Sequence, residues 1–198
     1  MTSAKDLKLS SDLASYCYSY MFSNCISLET APILPAITLA PYCYEGMFEG
    51  CTSLTTAPEL PATTLSNSCY KKMFASIYNA NDTIKVYSGI KTSSILFCKT
   101  LSESCYESMF EGCTFLETAP ELPSTTLASS CYKKMFKDCN SLRLPPNLSS
   151  SMLKPSCYES MFKNCKQLIT VPELNSLNMQ TKCYESMFEG CILLETAP

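Results

Sequence analysis

The chain predicts an α/β solenoid of seven stacked repeats, each giving one short helix and one short strand or extended segment, in a single elongated domain over residues 1–198. Three observations predict it. The word Cys-Tyr-x-x-Met-Phe recurs seven times, with its cysteine at Cys17, Cys43, Cys69, Cys105, Cys131, Cys157 and Cys183. Successive cysteines lie 26 residues apart, except for 36 between Cys69 and Cys105, and a fixed period of this length marks a stacked repeat array. Within each repeat a helical apolar pattern is followed by columns of leucine and proline.

Counting the first cysteine as position 0, the residues Cys, Tyr, Met, Phe and a second Cys fall at positions 0, 1, 4, 5 and 8. On a helix these lie inside a sector of about 140°, with positions 2, 3, 6 and 7 facing away. Charged residues fill that outer side, as at Glu45, Glu49, Lys71, Lys72, Glu107, Glu111, Lys133 and Lys134. Their sign alternates between neighbouring repeats, which places opposite charges side by side once the repeats stack. Ser68, Ser104, Ser130 and Ser156 precede the cysteine and read as N-caps, with Ser104 to Glu107 and Ser156 to Glu159 spaced as capping boxes. Position 7 holds Asn24, Gly50, Gly112, Asp138, Asn164 or Gly190, which tolerate the left-handed conformation that closes a helix. A helix of two turns is unstable alone, so each must be held by its neighbours.

Leucine then occupies position 11 in every repeat but the third, from Leu28 to Leu194, and a Thr-containing stretch ends at proline in position 15, as in Thr55 to Pro58. Such a run suits a very short strand. A second leucine column at position 17 includes Leu34, Leu60 and Leu122, and a third precedes each cysteine by four residues, with Met179 in place of leucine before Cys183.

The third repeat is ten residues longer, and Ala75 to Thr100 lacks the second cysteine, the position 7 stop and the proline. Thr83 to Tyr87 alternates like a strand, with Ser88-Gly89 placed to turn it back toward Ile90 to Thr92. Insertions in repeat proteins concentrate on one face, often the binding face, while drift in a tolerant loop is the plainer reading. Tyr78, Lys85, Tyr87 and Lys91 are the candidate partner-binding residues there. Cys98 reads as a shifted substitute for the missing core cysteine.

A net charge of -3 over mixed signs gives no basic footprint for nucleic acid. Met1 to Leu13 lacks the pattern of a signal peptide, and no segment approaches the run of about 18 apolar residues that inserts into a membrane. Fourteen cysteines without any histidine, spaced eight positions apart, do not read as a metal site. Within one helix these pairs lie about 12 Å apart, beyond disulfide reach. Bridges between adjacent repeats are geometrically open, but both columns lie in the apolar sector, which favours buried thiols. No histidine, Gly-rich phosphate loop or Gly-x-Ser-x-Gly elbow is present, so the reading is not an enzyme and has no cofactor.

The wording Met-Phe-x-Gly-Cys-Thr-x-Leu at Met47 to Leu54 and Met109 to Leu116 resembles the BspA-like branch of leucine-rich repeats. The resemblance covers about Leu13 to Pro198, departing in the 26-residue period and in an Ala-Pro-x-Leu-Pro corner. It implies a leucine-rich-repeat-like solenoid of the kind found in surface-exposed or secreted bacterial proteins that bind host or bacterial partners. The expected function is therefore a non-enzymatic protein- or glycan-binding module of adhesion type, its ligand host-derived or bacterial. The alternatives are a structural, self-assembling spacer of an envelope or virion, and a targeting domain from a larger enzyme. The chain opens and stops partway through a repeat, without polar caps. A longer array, or ends that associate head to tail, is the expectation.

Overall fold

The structure, a computed structural model, describes residues 2–176 and 178–195. It corrects the expected helix: among the described residues there is no α-helix, and the two strands belong to the insertion. Each Cys-Tyr-x-x-Met-Phe word is instead a coil of linked tight turns with a period of four. Positive φ recurs every fourth residue, at Tyr42, Gly46 and Gly50, at Ser104, Ser108 and Gly112, and at Ser130, Lys134 and Asp138. Ser68, Ser104, Ser130 and Ser156 are thus left-handed turn residues and not helix caps. The residues at position 7 take the left-handed conformation expected of them, but they close turns.

The hydrogen bonds explain the preference. Every second N–H closes a local turn, as Cys43 to Ala40 O (3.3 Å), Glu45 to Tyr42 O (3.2 Å) and Met47 to Tyr44 O (3.3 Å). The N–H groups between them cross to the next repeat, as Tyr44 to Cys69 O (3.0 Å), Gly46 to Lys71 O (2.8 Å) and Phe48 to Met73 O (2.9 Å). A two-turn helix would leave about four N–H and four C=O groups unbonded at its ends. The turn coil uses those groups to join repeats. Glycine, asparagine and aspartate keep the conformational cost low where they occupy left-handed positions, while the serine, tyrosine and lysine residues there carry strain that the inter-repeat bonds offset.

Outside the coil, the expected strand shrinks to single parallel bridges between equivalent residues. One column links Thr56 to Thr92 and Thr118 to Leu144, and another links Thr38 to Thr64 and Thr100 to Thr126. Proline at position 15 stops any longer pairing in the first column.

The core is built from columns. Tyr18, Tyr44, Tyr70, Tyr106, Tyr132, Tyr158 and Tyr184 stack at 5.8 to 5.9 Å between ring centroids. The phenylalanines from Phe22 to Phe188 stack at 5.5 to 5.8 Å. All cysteines are free thiols, and most are buried in the two columns that flank these rings. In the second column the thiols of Cys51, Cys113, Cys139 and Cys165 donate to the phenylalanine carbonyl of the preceding repeat at 3.0 to 3.2 Å. On the outside the alternating charges meet across repeats, as Lys71 with Glu107 (3.1 Å), Lys133 with Glu159 (2.8 Å) and Lys163 with Glu189 (2.8 Å).

The turn coil and a helix predict opposite signs for one substitution. Lys134 has φ of +56°, so Lys134→Gly relieves left-handed strain and stabilises by about 0.5 to 1 kcal/mol after the entropic cost of glycine. In a helix the same change would cost about 1 kcal/mol. Chemical denaturation of the two proteins reads the sign directly.

Candidate functional site at the inserted hairpin

The insertion is narrower than the sequence suggests. Ile90 is buried in the leucine column of Leu54 and Leu116, and Thr92 bridges Thr56, so the chain is back in register by residue 90. What protrudes is an antiparallel pair, β1 (Ile77–Tyr78) and β2 (Ile84–Val86), with Ile77 opposite Val86, Tyr78 opposite Ile84 and an irregular register between the two pairs. The strand expected at Thr83 to Tyr87 therefore pairs backward, not with Ile90 to Thr92. Ser88 and Gly89 are buried where the hairpin rejoins the core. A side chain on Gly89 would collide with the Thr52 carbonyl.

Cys98 does not replace the missing core cysteine. It lies in the small-residue column of Ala62 and Ser124, where its thiol donates to Ala62 O at 3.3 Å and its carbonyl accepts from the Ser124 hydroxyl at 2.6 Å. Ser88 takes the vacated place, its hydroxyl 3.4 Å from the Cys113 thiol.

The hairpin turn is held by its own side chains. The Asn79 carbonyl oxygen accepts from the N–H groups of Asn81 (2.9 Å) and Thr83 (3.1 Å), and Asp82 sits at positive φ. The whole hairpin rests on the position 7 column. A methyl on Gly50 would meet Ile77 at 2.5 Å, and one on Gly112 would meet the Tyr78 hydroxyl at 2.9 Å. These two glycines flank the inserted repeat and leave the hairpin room to lie across the column.

Beyond Gly112, the Tyr78 hydroxyl donates to Asp138 Oδ2 at 2.7 Å. Asn164 Nδ2 donates to Asp138 Oδ1 at 2.8 Å. Lys137 is only 4% exposed, and its ammonium lies 3.0 Å from Asp82, 3.1 Å from Glu111 and 3.8 Å from Asp138. The same ammonium sits 5.0 Å from the centre of the Tyr78 ring. Burial alone would lower the Lys137 pKa, but Glu111, Asp82 and Asp138 more than offset it and hold it above its ordinary value. Burial, and then its hydrogen bond to Asp138, push the Tyr78 phenol well up, so it stays a donor.

Between hairpin and repeats lies a cleft of about 300 Å³, open on one side. Tyr78, Asp82, Thr83, Ile84 and Tyr87 line it from the hairpin, and Asp138, Asn140, Asn164 and Lys166 from the fifth and sixth repeats. Of the candidate residues, Tyr78 and Tyr87 come together here, Tyr87 being 48% exposed. Lys85 is exposed on β2 away from the lining, and Lys91 extends over the Phe115 ring at 5.9 Å. The four lining residues contributed from outside the insertion, and the neighbouring Lys137, were not legible as a site. Separate grooves of about 450 and 390 Å³ run along the proline corners, lined by residues such as Ile33, Pro35, Pro61 and Phe97. Among the described residues no cluster of His, Cys, Asp and Glu is placed to hold a metal ion, and no helix is long and apolar enough to cross a membrane.

No protein-family model matches the chain, and no curated protein matches it. Among solved structures, a leucine-rich repeat protein from Bacteroides ovatus is similar at 18% identity with a TM-score of 0.25, over 78% of this chain and 51% of that one. This chain thus spans about half the length of that protein. The BspA-like resemblance rests on the wording of the repeats alone.

Proposed function

We propose that the chain is a non-enzymatic binding module of a bacterial surface or secreted adhesion type, and that it captures a protein or glycan ligand at the inserted hairpin. The observation that carries this reading is the network in which buried Lys137 and Glu111 join Asp138, the Tyr78 hydroxyl and the exposed Asp82 of the hairpin turn. A drifting insertion has no need of a buried lysine held by three carboxylates of the stack and hairpin. This one is fixed as a wall, which reduces the ordering cost of binding. The columns outside it serve as a rigid support.

Replacing residues 77–87 with one cysteine restores both the 26-residue period and the missing core thiol. The expected variant stays folded but no longer binds a printed glycan array or a panel of immobilised extracellular matrix proteins on which the natural chain gives signal. Equal signal from a folded variant overturns the reading.

A structural, self-stacking role is the second reading, and one observation favours it. The N–H groups of Tyr184, Ser186, Phe188 and Gly190, and the carbonyls of Cys17, Ser19, Met21 and Ser23, have no partner among the described residues. These are the two complementary edges of the same ladder, and the rings of Tyr18 and Tyr184 lie at matching positions in it. Size-exclusion chromatography of the same preparation at rising concentration reports whether copies add end to end.

A further inference from the structure

From the cleft beside the hairpin we infer that the ligand it takes is a neutral saccharide, bound as a single pyranose unit at the end of a glycan; this rests on the binding reading above. The lining mixes donors and acceptors in a way that suits hydroxyl groups, each of which gives and takes a hydrogen bond. Asp138 brings oxygen acceptors, while Thr83, Tyr87 and Lys166 bring donors. Asp138 is already oriented by Tyr78 and Asn164, and each carboxylate oxygen has a second lone pair for a ligand. The geometry is therefore set before binding.

Charge separates this class from others. The two carboxylates of the lining, Asp82 and Asp138, both face the Lys137 ammonium, at 3.0 and 3.8 Å. Lys166 adds a positive charge on the repeat wall, without an ion-pair partner among the described residues. An anionic ligand would meet Asp82 and Asp138, and a cationic one Lys166. A neutral, hydroxyl-rich ligand meets neither penalty, since its desolvated groups are matched by dipoles and by charges that are already compensated. Tyr87 and Ile84 add the apolar surface on which the C–H face of a sugar ring packs. The volume, about 300 Å³, lies at the lower end for ligand pockets. It fits one ring and leaves no length for a folded peptide, and the open side gives the rest of a glycan a way out.

The test is saturation-transfer NMR on the 198-residue chain with free glucose, galactose, mannose, N-acetylglucosamine and N-acetylgalactosamine. At least one sugar is expected to receive transfer. Tyr87→Ala and Lys166→Ala are each expected to weaken its apparent affinity at least tenfold with melting unchanged, and Lys134→Ala is expected to leave it intact. Silence from all five sugars, or transfer undiminished in both cleft variants, overturns the inference. If the sugars are silent while hairpin-dependent capture of an immobilised protein persists, the saccharide assignment fails and the binding function stands. If neither occurs, both fail.

Discussion

Phe136→Ala is expected to cost about 3 to 5 kcal/mol of stability, the range for deleting a buried aromatic ring. Phe136 is fully buried, in parallel contact with Phe110 at 5.8 Å and Phe162 at 5.7 Å. Removing it leaves a cavity that its stacked neighbours cannot close, because each is pinned by its own inter-repeat backbone bonds. The N–H of Phe136 itself donates to Met161 O at 2.9 Å. Two residues earlier, Lys134 makes no ion pair among the described residues, so Lys134→Ala changes stability by less than about 0.5 kcal/mol. Urea denaturation of the three proteins measures the contrast. Similar losses from both substitutions would mean that inner and outer faces are exchanged.

The same contrast shows what the sequence made readable. The positions that face inward follow from the repeat, and every tyrosine, methionine and phenylalanine of the five central words is buried as the pattern requires. The backbone that delivers them was not readable. Positions 0, 1, 4, 5 and 8 share a face at a period of 3.6 and equally at a period of 4, since the two drift apart by only about 40° per turn. Nine residues are too few to separate them. The available signal was Gly46 with Gly50, a pair of left-handed residues four apart, which a helix would not place in its middle. For the hairpin, alternation located β2, but β1 is two residues long and carries no pattern of its own. Asp138, Asn140, Asn164 and Lys166 join the cleft because the stack brings the fifth and sixth repeats beside an insertion in the third. That adjacency exists only after folding.

Alkali is expected to unfold this protein well before it unfolds an ordinary domain, because the core is built from protonated thiols and phenols. Desolvation raises the thiols of Cys43, Cys51, Cys113 and Cys131 from an ordinary value of 9.0 to about 12 each. It also raises the buried phenols of Tyr70, Tyr106 and Tyr132 well above theirs. A thiol is neutral when protonated, so a raised folded pKa means that the native state holds its proton more tightly than the unfolded chain. The stability this represents is fully present below about pH 8, where neither state ionises. It is lost as pH rises from there toward the folded value near 12. The slope from each thiol approaches about 1.4 kcal/mol per pH unit once the unfolded thiol is ionised, so these four together remove roughly 4 kcal/mol between pH 9 and pH 10. A typical domain stability of about 5 to 15 kcal/mol is then exhausted within one to three pH units, sooner once the phenols join. Urea midpoints measured from pH 7 to pH 11 under reducing conditions should hold level to about pH 8.5 and then fall steeply. A midpoint that stays level through pH 10.5 would show that the thiols are reached by water in the native state, and that the cysteine columns do not lie inside the stack.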